Sequence, residues 1–324
     1  MYPESNRRLR LNPITRSLTQ EVSISVSKLI QPLFVVEGIK DRETIPGLTG
    51  VYRDTPETLL KQVEKDLEKG VKSFLLFGVP GTKSDNSFHY DFTANQLSNL
   101  KKRFGSDIFL SVDVCLCSYT THGHCGILND AHDHVVNGPS VKALAEAALS
   151  YAQAGADCVA PSDMMDHRIR AIREILNQHH LHQTLIMSYS AKFHSGFYGP
   201  FRAAADSAPK GEVKIKDRAS YQIDPGNPSD AYRSSLRDSE EGADILMVKP
   251  GLPYLDVLKD LSSRIPLPWA VYEVSGEFAA IELMAEKGLI DGRRAHLESW
   301  TAFFRAGAQM VITYGARSAQ DWLK

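Results

Sequence analysis

Cysteine is scarce in this chain, with four among 324 residues. So few thiols over such a length exclude a secreted disulfide framework, and a reducing cytosol fits better. No run approaches the roughly 20 consecutive apolar residues that a bilayer span requires. The N-terminal stretch, with Glu4, Arg7, Arg8 and Arg10, lacks the apolar core of a secretory signal. Neither sign of charge prevails: 37 Lys and Arg against 39 Asp and Glu leave a net charge of -2. That balance argues against a general nucleic-acid partner or an anionic membrane surface. There is no low-complexity tract and no linker that would divide the chain in two. What remains is 43% hydrophobic, ample for a sizeable core.

Short apolar runs alternate with helical stretches. The runs are Leu29–Val36, Val71–Phe77, Ile108–Cys117, Cys158–Ser162, Thr184–Ser190, Ile245–Lys249, Trp269–Ser275 and Met310–Tyr314. Amphipathic stretches such as Thr55–Lys69, Ser140–Ala154, His167–Asn177, Asp230–Gly242, Tyr254–Arg264 and Glu277–Lys287 lie between them. Gly70, Gly155, Gly242 and Gly307 stand before the next strand, where glycine commonly stops a helix. Eight strand-helix units predict an α/β chain folded as a (β/α)8 TIM barrel. A doubly wound open sheet is the alternative, but no Gly-x-Gly-x-x-Gly fingerprint follows the first strand. Residues 1–28 precede the barrel of residues 29–324. Their Leu9, Leu11, Ile14 and Leu18 among arginines fit an arm that packs on a neighbouring subunit, or a merely solvated one. Residues 193–222, rich in Gly, Pro, Lys and Arg, read as an active-site lid.

Three of the four cysteines fall close together: Cys115, Cys117 and Cys125. On a strand, residues two apart share a face. Asp113, Cys115 and Cys117 are therefore expected to point one way, with a glycine-containing turn returning Cys125 to them. Three thiolates without a fourth cysteine suggest zinc with an open coordination position, the mark of a catalytic rather than a structural site. The plainer alternative is small core residues, since free cysteine is often buried. His122 and His124 each remain open as a fourth ligand. Cys158, at the start of a strand, reads as core.

A barrel's chemistry sits at the C-terminal ends of its strands. Those ends carry Asp113, Ser162 and Asp163, the run Ser188 to Lys192, Lys249, the run Tyr272 to Ser275, and Thr313-Tyr314. Lys249 ends an otherwise apolar strand. A desolvated lysine loses basicity and becomes a nucleophile toward carbonyls; the alternative is a rim lysine reaching solvent. Lys192 occupies the same place on the preceding strand, and two such lysines raise the cost of charging each other. Arg202 and Arg218, with Gln222 nearby, fit capture of an anionic substrate, because the guanidinium fork matches a carboxylate.

Together these residues resemble the δ-aminolevulinic acid dehydratase (porphobilinogen synthase) family, from Arg8 to Tyr314. The specific pieces are Asp113-Val-Cys-Leu-Cys with His-Gly-His-Cys125, Ala160 to Asp166, Ser190-Ala-Lys-Phe193, Phe197 to Arg202, Leu246 to Pro250 and Val274-Ser-Gly-Glu277. The resemblance implies a lyase that condenses two 5-aminolevulinate molecules to porphobilinogen with loss of two waters. It implies a Schiff base on Lys249 at one substrate site (A) and on Lys192 at the other (P). Arg202, Arg218 and Gln222 would hold the A-site carboxylate, and Ser275 and Tyr314 the P-site one, with Tyr272 as a further substrate-binding candidate. One zinc per subunit on Cys115, Cys117 and Cys125 would act at the A site, assisted by Asp113 and Ser162. A cytoplasmic homo-octamer whose arms embrace neighbours is also implied.

Departures from the family pattern narrow this further. Ser220 stands where some relatives carry a cysteine of a second, non-catalytic zinc, so that zinc is not expected. Ser234 stands where many bacterial relatives carry a glutamate for an activating magnesium, so magnesium is not expected there. Two other readings differ in outcome. A class I aldolase would need one lysine and no zinc; a zinc-binding regulatory barrel would close its metal with four protein ligands and form no imine.

Overall fold

The computed structural model describes residues 6–324, so the first five residues of the expected arm lie outside the described residues. The chain opens with a short helix α1 (Pro13–Leu18), strand β1 (Leu29–Val36), a hairpin of β2 (Glu43–Ile45) and β3 (Leu48–Asp54), and helix α2 (Pro56–Glu68). It continues with β4 (Ser73–Val79), α3 (Asp91–Phe104), β5 (Phe109–Val114), α4 (Asn137–Gln153), β6 (Cys158–Pro161), α5 (Arg168–Gln178) and β7 (Leu185–Lys192). Then come α6 (Gly199–Ala204), α7 (Pro228–Glu240), β8 (Ile245–Lys249), α8 (Leu255–Arg264) and β9 (Trp269–Tyr272). The chain closes with α9 (Ser275–Glu286), α10 (Gly292–Ala306), β10 (Met310–Ile312) and α11 (Ala319–Trp322).

Strands β1 and β4 to β10 pair in parallel in chain order, and β10 pairs back onto β1. This is the expected (β/α)8 barrel. The β2–β3 hairpin, which the strand pattern did not reveal, joins the end of β1, with Phe34 beside Arg53 and Val35 beside Asp54. Alternation along each strand divides the apolar residues into two layers. Leu29, Leu76, Val112, Ile186, Val248 and Val271 face the helices, whereas Ile30, Phe77, Ala160, Met187, Met247 and Ala270 fill the barrel. Cys158 lies fully buried in that interior, as expected.

The helices form where their ends are satisfied. In α2, the Thr55 hydroxyl accepts from the Thr58 backbone N–H at 3.1 Å while Thr58 Oγ1 accepts from Thr55 N–H at 2.9 Å. Pro56 starts the helix, Leu59 and Val63 supply its buried face, and Gly70 takes a positive φ just beyond its end. Removing such a cap costs about 1 kcal/mol. By contrast α1 buries none of its residues, and Leu9, Leu11, Ile14 and Leu18 are exposed. Among the described residues no helix is long and apolar enough to cross a membrane.

Strand ends differ from the sequence pattern in ways that matter for the site. The third barrel strand stops at Val114, so Cys115 and Cys117 lie on a turn rather than on a strand face. The seventh stops at Tyr272, and Ser275 becomes the first residue of α9. In both places the backbone leaves the ladder to bond locally: Tyr119 and Thr120 N–H donate to the Leu116 carbonyl, and Val274 N–H donates to Glu277 Oε2 at 2.7 Å.

A largely buried polar cluster braces β9 and β10 from outside the barrel. Glu273 accepts from the Trp300 indole at 3.0 Å and from Thr313, and faces His296 at 3.3 Å; Glu282 lies 3.0 Å from the other ring nitrogen of His296. Burial opposes a charge on His296, but the two carboxylates outweigh it and push its pKa up to about 9. Because the folded value exceeds the unfolded one of about 6.5, this stabilisation is complete below about pH 6.5. It falls away between there and about pH 9, and amounts to on the order of 3 kcal/mol. Unfolding midpoints measured from pH 6 to 10 should decline across that window in the wild type and decline less in His296→Gln. Equal slopes would contradict the assignment.

Candidate active site

Lys192 and Lys249 end adjacent parallel strands and stand opposite each other in register. A one-residue irregularity makes this possible. Ser188 pairs with Leu246, but Ala191 pairs with Val248, so β7 carries one extra residue. Ser188 and Ser190 therefore bond outward to Asp238 and Ser235 of α7, Ala191 also packs in the outer layer, and Lys192 turns inward. Without that bulge the period of two would place Lys192 among the helices.

Both lysines are buried, with Lys249 only 3% exposed, so the rim-lysine alternative fails. Lys249 Nζ lies 4.1 Å from the centre of the Tyr272 ring, 5.0 Å from those of Tyr189 and Phe201, and 5.5 Å from that of Tyr198. Burial first, and the charge of Lys192 second, hold Lys249 well below the ordinary lysine range. Lys192 Nζ donates to the Ser162 carbonyl and lies 5.7 Å from the Tyr189 ring. Asp113 points inward near both lysines. Burial and the Cys117 sulfur push its carboxyl up to about 6, against the pull of Lys192, the Ser162 hydroxyl and Lys249. Beneath Ser162, Asp163 faces Arg168 at 3.5 Å, and Arg168 bonds Asp238 at 3.1 Å, all three fully buried. That ion network ties the end of β6 to α5 and α7.

The cysteines converge although they lie on a turn. The sulfurs of Cys115, Cys117 and Cys125 all lie within 4.8 Å of one another, and all three residues are buried. Gly123, at φ +74°, returns the chain; a Cβ there would meet the Ala208 carbonyl oxygen at 2.4 Å. Cys115 and Cys117 can both donate to Cys125, which pulls the Cys125 thiol well below its ordinary range, while burial pushes Cys115 up. Neither histidine joins them. The His122 Nδ1 accepts from the His124 backbone N–H at 3.0 Å, and both ring nitrogens of His124 are engaged, with Tyr221 Oη at 3.1 Å and the Ile215 carbonyl at 3.2 Å. Three convergent thiols, with no fourth protein ligand among the described residues, are a donor set suited to a thiophilic ion such as zinc.

Arg202, Arg218 and Gln222 come from residues 193–222, which contain only α6 and a single helical turn at Gly196–Tyr198. Arg218 is buried and donates to the Gly123 and Ser207 carbonyls at 3.0 and 2.6 Å, leaving its Nε without a partner. Arg202 Nε and both amide atoms of the buried Gln222 are likewise unpartnered. Burial and the nearby Arg218 charge lower the Arg202 pKa. Ser275 accepts from the Phe201 backbone N–H at 3.0 Å, where the bare Cα of Gly276 lets α9 approach Phe197; a Cβ would meet the Phe197 carbonyl at 2.6 Å. Tyr314 and Tyr272 share a hydroxyl contact at 3.2 Å inside the barrel. Tyr189, Tyr198 and Phe201, which enclose the Lys249 amine, were not singled out from the sequence, although Tyr189 lies only three residues before Lys192 on the same strand. Tyr221 was missed as well.

A family model described as Delta-aminolevulinic acid dehydratase matches residues 4–322. A protein of that name from Methanothermus sociabilis is 44% identical over 96% of this chain and 95% of its own. One from Bacillus subtilis is 38% identical over 98% of this chain and 97% of its own. Among solved structures, the delta-aminolevulinic acid dehydratase of Toxoplasma gondii in complex with the reaction product porphobilinogen superposes with a TM-score of 0.93. It is 41% identical and covers 99% of this chain and 92% of its own.

If Lys192 helps to depress Lys249, removing its charge must raise the Lys249 titration. In Lys192→Met, the pH profile of Lys249 labelling by an amine-directed reagent, read by peptide mass spectrometry, should move to higher pH. An unchanged profile would show that the two amines do not feel each other.

Proposed function

The chain belongs to the delta-aminolevulinic acid dehydratase family, and we propose that it catalyses, through imines on Lys249 and Lys192, the condensation of two 5-aminolevulinate molecules to porphobilinogen and two waters. The observation that carries this reading is the pair of buried amines standing in register on adjacent strands. One-lysine aldolase chemistry gives no reason for the second.

Lys249, whose basicity burial lowers, more readily presents a free electron pair and adds to the ketone of one substrate. Loss of water gives an imine, which acidifies the neighbouring C–H for carbon–carbon bond formation; an imine on Lys192 supplies the electrophile. Asp113, with a carboxyl near 6 and Oδ1 unpartnered, fits proton transfer between the two amines. Ser162 fixes Lys192 through its carbonyl. Arg202, Arg218 and Gln222 hold the A-site carboxylate, and their unpartnered buried polar atoms favour that role. Ser275 and Tyr314, with Tyr272, hold the P-site carboxylate. Cys115, Cys117 and Cys125 would hold a zinc ion, which when bound would supply Lewis-acid polarisation at the A site. Residues 193–222 close over the substrates as a lid and exclude water. Fixing two substrates side by side removes much of the entropic barrier to their joining.

The remaining features are read in the same way. The exposed Leu9, Leu11, Ile14 and Leu18 suit an arm, residues 1–28, that packs on neighbours in a homo-octamer. Four free, buried cysteines suit a cytoplasmic enzyme. No magnesium at Ser234 is expected: the Arg237 guanidinium bonds Ser234 at 3.3 Å, Asp238 at 3.1 Å and Asp166. A second zinc at Ser220 is likewise not expected, since a serine hydroxyl offers no thiolate there.

Borohydride reduction in the presence of 5-aminolevulinate, followed by peptide mass spectrometry, should leave an adduct on Lys249, and Lys249→Ala should lose it together with activity. No adduct on either lysine would overturn the proposal. Thorough chelation should abolish porphobilinogen formation and added zinc should restore it; activity that survives metal removal would overturn the metal's part.

A further inference from the structure

We propose that the cysteine loop and residues 205–222 form one cooperative unit, so that a metal ion held by Cys115, Cys117 and Cys125 orders that segment, with Tyr221 as the positioning residue that joins the two. The inference rests on the metal reading above and adds a coupling to it.

Residues 205–222 contain no helix or strand of their own, so their order must come from what they touch. Besides Lys83, which binds Asp206, and the His132 carbonyl, which accepts from Lys214 N–H, what they touch is the cysteine loop. Ser118 Oγ donates to the Ala205 carbonyl at 3.0 Å, and Lys210 N–H donates to the His122 carbonyl at 3.1 Å. Arg218 donates to the Gly123 carbonyl at 3.0 Å, and Ala208 occupies the space that a side chain on Gly123 would fill. The partners also fix the His124 tautomer. The Ile215 carbonyl can only accept, so Nε2 carries the proton and Nδ1 accepts from the Tyr221 hydroxyl. The same phenol oxygen receives the backbone N–H of Cys125 at 3.4 Å, while the Tyr221 ring packs against the three cysteines.

Tyr221 thus bonds to the backbone of one candidate ligand and the side chain beside it. Two residues later, Ile223 N–H donates to the Lys192 carbonyl at 3.1 Å, and His194 N–H donates to the Ile223 carbonyl at 2.8 Å. The segment therefore leaves from and returns to the end of the strand that carries Lys192. A loop pinned by three metal–sulfur bonds presents these partners in one arrangement; a loop without them does not. By linkage, whatever the metal does for the segment the segment does for metal affinity.

The test uses the full-length assembled protein and Co2+ as the probe metal, with the thiolate-to-cobalt absorption band reporting occupancy of the cluster. Hydrogen exchange of residues 205–222 is followed by mass spectrometry with and without Co2+, in wild type and Tyr221→Phe. In the wild type, exchange should slow about tenfold on loading. In Tyr221→Phe most of that slowing should vanish, and Co2+ affinity should fall about tenfold, within the usual range of coupling. A cobalt band without any change in exchange overturns the inference and leaves the metal reading intact. A full metal response in Tyr221→Phe removes Tyr221 from it. No band at all overturns the metal reading and the inference together. Should Tyr221→Phe not assemble, the wild-type comparison alone decides.

Discussion

Two ammonium groups cannot share one buried pocket cheaply, and the site is organised around that constraint. Two like charges a few ångströms apart repel by several kcal/mol at an effective dielectric of about 20. Desolvation adds to this, and each 1.36 kcal/mol is one pKa unit. The fold meets the conflict by lowering the basicity of one amine, Lys249. Lys249 sits among the rings of Tyr272, Tyr189, Phe201 and Tyr198, where a neutral amine is at home. Lys192 has a carbonyl partner at Ser162 and the Asp113 carboxyl nearby. The lowered basicity of Lys249 follows from those apolar surroundings and from the nearby Lys192 charge.

That arrangement depends on backbone that is fixed from outside. The extra residue in β7 turns Lys192 into the barrel, and Ser188 and Ser190 are bonded to α7 on the opposite face. The Asp163–Arg168–Asp238 network holds the end of β6 in the same layer, and the Glu273 cluster holds β9 and β10. Charged groups buried behind the barrel thus position the reactive groups within it. Each member has at least one partner of opposite charge, which such burial requires.

Much of the barrel was legible because its signals are local and periodic. Eight apolar runs and the glycines after the helices mark βα units wherever they occur, and the residues closing each run mark the mouth. The β2–β3 hairpin escaped because β2 is only three residues long and β3 does not alternate strictly. The β7 bulge escaped because a bulge is a property of pairing between strands, which one strand's pattern does not carry. It is also why Lys192 reached the interior for a reason other than the one its position suggested. The cysteines were expected on one strand face; they meet instead on a turn, since a loop closed by Gly123 can gather sulfurs as well as a strand can. Tyr221 was invisible because its contacts reach Cys125 and His124 across nearly a hundred residues of chain.

The reactivity proposed for Lys249 requires it to be neutral in the resting enzyme. Neutron diffraction from crystals exchanged into deuterium oxide at neutral pH would reveal its protonation state directly. The account predicts two deuterons on Lys249 Nζ. Three deuterons there would contradict it, and the chemistry would then need another route to a free amine.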